Sequence, residues 1–292
     1  MGSGRNDAAE EPWIMHPHAL KPGPEAGTAT RTYTINMPQM ALSGLGESWL
    51  SKEVGDIHWG MITGFLGKPS RDIVDAEGHR LYATFARLVL EITPDLTGFA
   101  ENAPLEIASR LSRYGESYFF AHHDIASSGA RGRAQTMSTF AKHGLRGQNN
   151  ALVKGSPVIP DPDLVPSLDV FPEFGVEYRA ARGVETKDAI FECTYEIQPV
   201  HDVNGVGLLY FAAYPAIFDL CTAQYEGRTF LTDHATVSKD VRFLGNADPQ
   251  DTLVFRLHSR TEKGATVHHV GSLWRQTDGR RIAEIESVKR RL

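Results

Sequence analysis

The chain has 292 residues, 41% of them hydrophobic and 23% charged, which is a globular composition long enough for one large domain or two of ordinary size. Its formal net charge is −6 and no lysine- or arginine-rich block marks a nucleic-acid-binding surface. No stretch reaches the roughly eighteen apolar residues of a membrane span. Two cysteines, Cys193 and Cys221, are too few for a disulfide framework, so we expect reduced thiols and a cytoplasmic protein.

The chain divides at two segments of unusual composition. Residues 1–29 are rich in Gly, Pro and Ala and predict a disordered arm without the apolar region of a secretory signal. The run 155–166 carries four prolines. Proline fixes φ and removes an amide donor, so this run predicts an extended linker, which we place at 155–187. Two halves of similar size remain, 30–154 and 188–292.

The two halves have the same predicted order of elements. In the first half, alternating and helical hydrophobic patterns predict one strand, one helix and four strands, at 31–36, 45–66, 81–92, 105–114, 118–125 and 135–142. In the second half the same order is predicted at 190–197, 205–222, 235–244, 252–259, 266–275 and 281–289. This is the order of the hot-dog fold, in which an antiparallel sheet wraps a long helix. The predicted fold class is therefore α+β, a double hot-dog.

The first candidate site begins at Asp202 and continues into the predicted second helix. Glycines such as Gly205 let the backbone approach a ligand, and a helix start offers unpaired amides to an oxygen that gains negative charge. Asn204 could add a side-chain donor and Asp202 could act as a base, while Tyr210 would contact the substrate. The alternative is that Asp202 and Asn204 only form a turn and cap the helix.

The second candidate site lies at 55–59 in the first half. His58 titrates near neutrality and could exchange a proton, and Trp59 could form a wall of an acyl pocket beside Asp56. Gly55 allows either a close approach or a new helix start. The alternative for His58 and Trp59 is core packing with a satisfied ring nitrogen.

Other chemistries have little support in the sequence. The pairs His122-His123 and His268-His269 lie on predicted strands, where neighbours point to opposite faces, so neither pair can chelate one metal and we expect no metal or cofactor. Dinucleotide and P-loop fingerprints and the Gly-x-Ser-x-Gly elbow are absent. Arg113, Lys142 and Lys154 could meet the phosphates of coenzyme A or phosphopantetheine, which would belong to the substrate.

Four segments resemble a known family: 37–40, 44–59, 202–215 and 236–246. They look like the family of the leinamycin-pathway bifunctional acyltransferase/decarboxylase, from about Met37 to the C-terminus. The resemblance implies a double hot-dog that decarboxylates methylmalonyl-coenzyme A and places propionyl on an acyl carrier protein in polyketide biosynthesis. In that family a tyrosine is proposed to carry the acyl group, whereas residues 55–59 contain no tyrosine.

The resulting hypothesis is decarboxylation, acyl transfer or both on a malonyl-type thioester, with acyl-coenzyme A and an acyl carrier protein as partners. In it Asn204 and nearby amides hold the enolate oxygen and His58 donates the proton or binds the departing carboxylate. One alternative is a hot-dog thioesterase using Asp202 or a dehydratase using His58. Another is a non-catalytic protein that binds an acylated carrier. The chain is expected to be a monomeric double hot-dog or a homodimer.

Overall fold

The computed structural model describes residues 20–144, 148–182 and 188–292. The strands are β1 (Lys21–Pro22), β2 (Thr28–Thr34), β3 (Met40–Ala41), β4 (Gly44–Leu45), β5 (Tyr82–Thr93), β6 (Pro104–Tyr114), β7 (Tyr118–Ser127), β8 (Arg131–His143), β9 (Leu152–Gly155), β10 (Phe191–Glu196), β11 (His234–Phe243), β12 (Thr252–Lys263), β13 (Thr266–Arg275) and β14 (Arg281–Arg291). The helices are α1 (Glu47–Leu66), α2 (Glu173–Ala181), α3 (Pro199–Asp202), α4 (Ala213–Glu226) and α5 (Phe230–Asp233).

One antiparallel sheet runs through both halves in the order β1-β2-β6-β7-β8-β5-β11-β14-β13-β12-β10, with β9 beside β8. From the β5–β11 junction outward, the first half has the order β5-β8-β7-β6-β2, and the second half has the corresponding order β11-β14-β13-β12-β10. The two halves also share a bulge, after Phe85 in β5 and after Thr236 in β11. The chain is therefore a double hot-dog whose two copies are related by a pseudo-twofold axis at the β5–β11 junction.

Helix α1 lies against one face of the first half of the sheet. Its buried residues include Leu50, Val54, Ile57, Met61 and Phe65, which recur at helical spacing. The helix is continuous through Gly55, so the expectation of a new helix start there is wrong. Helix α4 takes the equivalent place in the second half, and the two helices touch.

The second helix begins later than predicted. Residues 205–212 are not helical, and α4 starts at Ala213. Asn204 Oδ1 accepts hydrogen bonds from the amides of Val206 and Leu208, and Gly207 has φ +83°, so the chain turns back on itself before the helix. We predicted a helix because the apolar residues of this loop imitate helical spacing.

The segment predicted as an extended linker contains a helix. Prolines stop at Pro172, which leaves Glu173–Ala181 free to form α2. This helix lies on the opposite face of the sheet from α1: Phe119 of β7 contacts Phe65 of α1, whereas its neighbour Phe120 packs with Tyr178 of α2. Residues 183–187 of this segment lie outside the described residues.

The predicted N-terminal arm is only partly described. Residues 1–19 lie outside the described residues. The remainder differs from the expectation of disorder, because β1 and the first residues of β2 join the edge of the sheet through pairing with β6. In the described part of the chain, none of the helices has both the length and the apolar character needed to cross a membrane.

Candidate active site at the seam between the halves

The sheet opens at one end of the junction between the halves. Strands β5 and β11 pair only over Arg87–Glu91 and Ser238–Arg242. Beyond this pairing, residues 82–86 and 243–246 separate and line a cavity of about 530 Å³. We call this opening the seam cavity. Arg87 holds the last paired position, because its guanidinium donates to both oxygens of Asp240 at 3.0 and 2.7 Å.

The seam cavity is lined by residues from both faces of the sheet. His58 and Phe85 reach it from the α1 side, and Tyr178 and Arg182 reach it from the α2 side. Phe211, from the loop before α4, is a lining residue that belongs to the second half of the chain. The cavity therefore passes through the sheet and joins side chains that are far apart in sequence.

His58 forms part of the cavity wall but does not offer a free nitrogen to it. Its Nε2 is 2.7 Å from Ser138 Oγ and its Nδ1 is 2.8 Å from Thr136 Oγ1, both on β8. Complete burial lowers the pKa of His58 to about 3, so the ring is neutral near pH 7. The expectation that His58 donates a proton is not supported, because a neutral ring with two occupied nitrogens is a poor acid.

A buried polar chain extends from His58 away from the cavity. Thr136 Oγ1 is also 3.3 Å from His123 Nε2, and His123 Nδ1 is 2.8 Å from Ser109 Oγ. Burial, together with the nearby His58, lowers the pKa of His123 well below its ordinary value. With both rings neutral, the single hydroxyl hydrogen of Thr136 couples the tautomer of one histidine to that of the other.

The loop that carries Asn204 is held rigidly opposite His58. Asn204 Oδ1 accepts the hydrogen bonds of the turn, so the side-chain amide nitrogen, Nδ2, is the atom that could donate a hydrogen bond to a ligand. Asn246 exchanges two hydrogen bonds of 3.0 Å with the backbone of Leu209, and Asn149 from the first half donates to Gly207 O at 2.6 Å. Asn204 thus forms the expected turn and also lines the cavity.

Asp202 lies elsewhere and is not among the described residues that line the cavity. Its Oδ2 accepts hydrogen bonds from the amide of Gln198 at 2.7 Å and from the hydroxyl of Tyr195 at 2.9 Å. Asp202 is buried and fixes the short helix α3. Asp202 therefore does not reach the cavity as the predicted base, and it binds the start of α3 rather than capping the second long helix.

The four residues predicted to bind substrate all line the seam cavity: Asp56, Trp59, Gly205 and Tyr210. Asp56 is the only carboxylate among the described lining residues, and its side chain is 64% exposed and 2.8 Å from Arg31. Burial, with Asp56 and Glu53 nearby, raises the pKa of Tyr210.

Backbone amides near the start of α4 are available to a ligand. Among the described residues, no hydrogen-bond partner is found for the amides of Gly205, Phe211 and Tyr214, and all three residues line the cavity. The Tyr214 amide belongs to the first turn of α4, where the helix dipole favours negative charge. The helix start lies later in the chain than predicted, at Phe211 and Tyr214, and the binding of an oxyanion by these amides stays a prediction.

Four exposed cations surround the cavity, and none lies within ion-pair distance of a described carboxylate: Arg80, Lys154, Arg182 and Arg280. Of the three residues predicted to meet phosphates, only Lys154 belongs to this group. Lys142 is paired with Asp75 at 2.6 Å, and Arg113 donates to the carbonyl of Pro162.

Tyr118 and Thr139 are among the lining residues that were not predicted from the sequence. Tyr118 lies beneath Lys154, whose Nζ is 4.2 Å from the ring centre. Burial would raise the pKa of Tyr118, but Arg179 and Lys154 outweigh it and lower that pKa. Thr139, paired with Tyr118 across the sheet, has a buried hydroxyl without a partner in the described residues. No local pattern marks either residue, because β7 and β8 bring them together.

One group of side chains has the donor set of a metal site: Asp75, Glu77 and His79. Its centre is taken by an ammonium group, since Lys142 Nζ is 2.6 Å from Asp75, 3.0 Å from Glu77 and 3.2 Å from His79. Lys142 lowers the pKa of Asp75.

The pseudo-twofold axis relates the His58 region to a second position in the fold. Phe85 precedes the bulge in β5 and pairs with Ser138, and Thr236 precedes the bulge in β11 and pairs with Lys289. Lys289 is thus the structural equivalent of Ser138, which binds His58. The neutral polar contacts of the first half correspond to charged residues in the second.

This second position is filled by ion pairs, which we call the charged counterpart. Asp219 of α4 lies 2.6 Å from Lys239 and 2.8 Å from Lys289, and Glu47 at the start of α1 lies 3.0 Å from Lys239. Burial would raise the pKa of Asp219, but the two lysines outweigh it and lower that pKa. Two carboxylates and two ammonium groups balance there, whereas the seam cavity remains open.

Comparison with solved structures identifies the same fold in thioesterases. The chain aligns with a protein assigned as an oleoyl thioesterase from Lactobacillus plantarum (TM-score 0.66, 13% identity, 91% of this chain and 96% of that chain). It also aligns with the 12:0-ACP thioesterase from Umbellularia californica (0.62, 11%, 91% and 94%) and an acyl-ACP thioesterase from Bacteroides thetaiotaomicron (0.57, 11%, 90% and 98%). No protein-family profile and no curated protein matches the sequence.

Proposed function

We propose that the chain is an enzyme that decarboxylates a malonyl-type acyl thioester in the seam cavity and passes the remaining acyl group between coenzyme A and an acyl carrier protein. One observation carries this proposal: the cavity offers free hydrogen-bond donors and cations, but its only described carboxylate is the exposed, paired Asp56. Hydrolysis or dehydration needs a base in the site, whereas decarboxylation needs a stabilised oxyanion.

The reaction can be written with the groups present. The bond between the α-carbon and the carboxylate breaks, carbon dioxide leaves, and the electron pair moves through the α-carbon to the thioester oxygen. The resulting enolate oxygen would accept hydrogen bonds from the Asn204 amide nitrogen and from the amides of Phe211 and Tyr214. A positioned donor of this kind contributes about 3–4 kcal/mol to the transition state. The α-carbon then takes a proton from solvent. In the transfer step the thiol of the carrier protein would attack the thioester carbonyl, the carbon–sulfur bond to coenzyme A would break, and coenzyme A would leave as its thiol with the proton that the carrier thiol loses.

The cations at the cavity would hold the carrier arm. Lys154, Arg182, Arg80 and Arg280 have no ion-pair partner among the described residues, although the chain carries a net charge of −6. Phosphate groups of coenzyme A or phosphopantetheine would supply the missing negative charge. In this proposal the phosphates would lie by Lys154 and Arg182 on the α2 side of the sheet, and the acyl group would point toward the α1 side.

The test is incubation with methylmalonyl- and malonyl-coenzyme A, with and without an acyl carrier protein, followed by mass spectrometry. The expected product is a thioester shorter by one carbon dioxide. Asn204→Asp is the matched variant, because it keeps the oxygen that forms the turn and removes the donor; kcat should fall by roughly 10²–10³ with the fold intact. Unchanged substrate with both acceptors present would refute the proposal.

A thioesterase is the second candidate, favoured by the fold of the solved structures. It predicts release of the free acid and coenzyme A with the acyl group otherwise intact, so the same mass spectra separate the two activities. Because Asp202 is remote from the cavity, hydrolysis would have to use a water positioned by other groups. Loss of water from a 3-hydroxyacyl carrier protein would identify a dehydratase, and binding without turnover would identify a carrier-binding protein.

A further inference from the structure

Two phenylalanines from different halves meet in the seam cavity on the α1 side of the sheet. Phe85 of β5 and Phe211, from the loop before α4, have ring centres 4.4 Å apart and an interplanar angle of 47°. The ring of Phe211 also lies 4.7 Å from that of Tyr210. Phe85 and Phe211 both line the cavity, and each is only partly buried.

Gly55 fixes how deep the Phe211 ring sits. A Cβ atom placed on Gly55 would lie 2.2 Å from Phe211 Cζ and 2.8 Å from Cε1, so the ring rests directly on the backbone of α1. It cannot move further toward the helix, and Phe85 bounds it on the strand side. Close-packed aromatic walls do not yield readily to an extra methylene group. The Phe211 ring is thus a fixed end wall.

The polarity of the cavity decides which part of a thioester meets this wall. The exposed cations Lys154 and Arg182 lie on the α2 side of the sheet, over the rings of Tyr118 and Tyr178, whereas the two phenylalanines lie on the α1 side. An arm whose phosphates bind there points its acyl group toward Phe85 and Phe211. The pantetheine arm and the acyl chain must then fit together between the cations and the Phe211 ring. The ring therefore limits the length of the acyl chain.

We propose that Phe211, seated on Gly55 and against Phe85, is a specificity-determining residue that restricts the substrate to short acyl groups. This inference rests on the proposed thioester substrate but not on the reaction. It concerns which acyl groups fit, and so it holds equally for a decarboxylase, a transferase or a hydrolase.

The test uses unreactive thioethers of coenzyme A with propyl, hexyl and decyl chains, with binding to the full chain measured by calorimetry. The native protein should bind the propyl compound more tightly than the hexyl compound. In Phe211→Ala the hexyl-to-propyl ratio of affinities should rise by about tenfold or more, since each methylene that fits a pocket is worth roughly 10–200-fold. Phe211→Leu should change the ratio in the same direction.

Two further variants control the experiment. Gly55→Ala should lower the hexyl-to-propyl ratio, because its new methyl group pushes the Phe211 ring into the cavity. Phe65→Ala also removes a phenyl ring, one that α1 itself carries and that packs on Phe119 of β7 without lining the cavity, so its ratio should equal that of the native protein. Circular dichroism verifies that each variant is folded.

The possible results separate two failures. In one, the thioethers bind but the hexyl-to-propyl ratio of affinities is the same in Phe211→Ala, Phe211→Leu, Gly55→Ala and the native protein. That result would overturn the role of Phe211 and would leave the proposed thioester substrate unaffected. Failure of the native protein to bind any of the three thioethers would overturn the proposed substrate itself. A ratio that shifts as expected supports the inference even if decarboxylation is never observed.

Discussion

Replacing Asp219 by asparagine would leave two buried lysines with a single carboxylate. Lys239 is 1% exposed and Lys289 6% exposed, and both contact the Asp219 carboxylate at 2.6 and 2.8 Å. Removing one partner of a buried ion pair costs about 3–5 kcal/mol, because an uncompensated charge remains. Asparagine keeps one acceptor oxygen and Glu47 still contacts Lys239. We therefore expect the free energy of unfolding to fall by about 3 kcal/mol.

Equilibrium unfolding in urea, followed by circular dichroism, measures this change. For a chain of this size the expected loss corresponds to a Tm lower by roughly 6–12 °C. Glu192→Gln is the matched control, since it makes the same chemical change in the exposed pair with Arg256 and should cost less than about 1 kcal/mol. Replacing Asp219 by leucine together with Lys289 by methionine removes a balanced pair and should restore most of the loss.

The reasoning would be refuted if Asp219→Asn and Glu192→Gln lowered the free energy of unfolding equally. That result would mean that the two lysines find compensation without Asp219, and that the charged counterpart does not hold the second half together.

Three further predictions concern the histidines, Asp202 and the cations. His58 and His123 are buried as neutral rings, so their contribution to the free energy of unfolding is complete above about pH 6.5. Below that pH the contribution is lost at roughly 1.4 kcal/mol per pH unit for each ring. Equal urea midpoints at pH 7 and pH 5.5 would contradict this prediction. Asp202→Asn should lower the free energy of unfolding by about 1–2 kcal/mol and leave kcat nearly unchanged, whereas a collapse of kcat would favour the thioesterase. Replacing Lys154 and Arg182 by glutamine should raise KM and weaken its dependence on salt without lowering kcat.

Strand positions were predictable from the sequence because burial on one face imposes a local alternation. The predicted strand at 266–275 coincides with β13, and the others agree within a few residues. The shared order of elements then indicated the double hot-dog. Local chemistry singled out 55–59 and 202–210 as two candidate sites. The structure brings Asp56, His58, Asn204 and Tyr210 to one cavity and leaves Asp202 outside it.

Properties that depend on pairing between distant segments could not be predicted. The seam exists because β5 and β11 stop pairing at Arg87 and Arg242, and no local pattern of either strand encodes where pairing stops. For the same reason Tyr118 and Thr139 were missed. The state of His58 depends on Thr136 and Ser138, about eighty positions away, which turn a residue expected to exchange protons into a neutral part of the wall.

The two hot-dog copies belong to one chain, which explains how the seam cavity can be open while the charged counterpart, its structural equivalent, is filled by ion pairs. In a symmetric dimer of identical chains, a residue that shapes one site appears in the other as well. Here Ser138 and its equivalent Lys289 belong to different parts of one chain and can differ. The first binds neutral His58 beside an open seam, and the second joins a set of balanced charges that ties Glu47 of α1 to Asp219 of α4 through lysines. The ion pairs brace the junction at one end, and the strands separate at the other end, where the seam cavity lies.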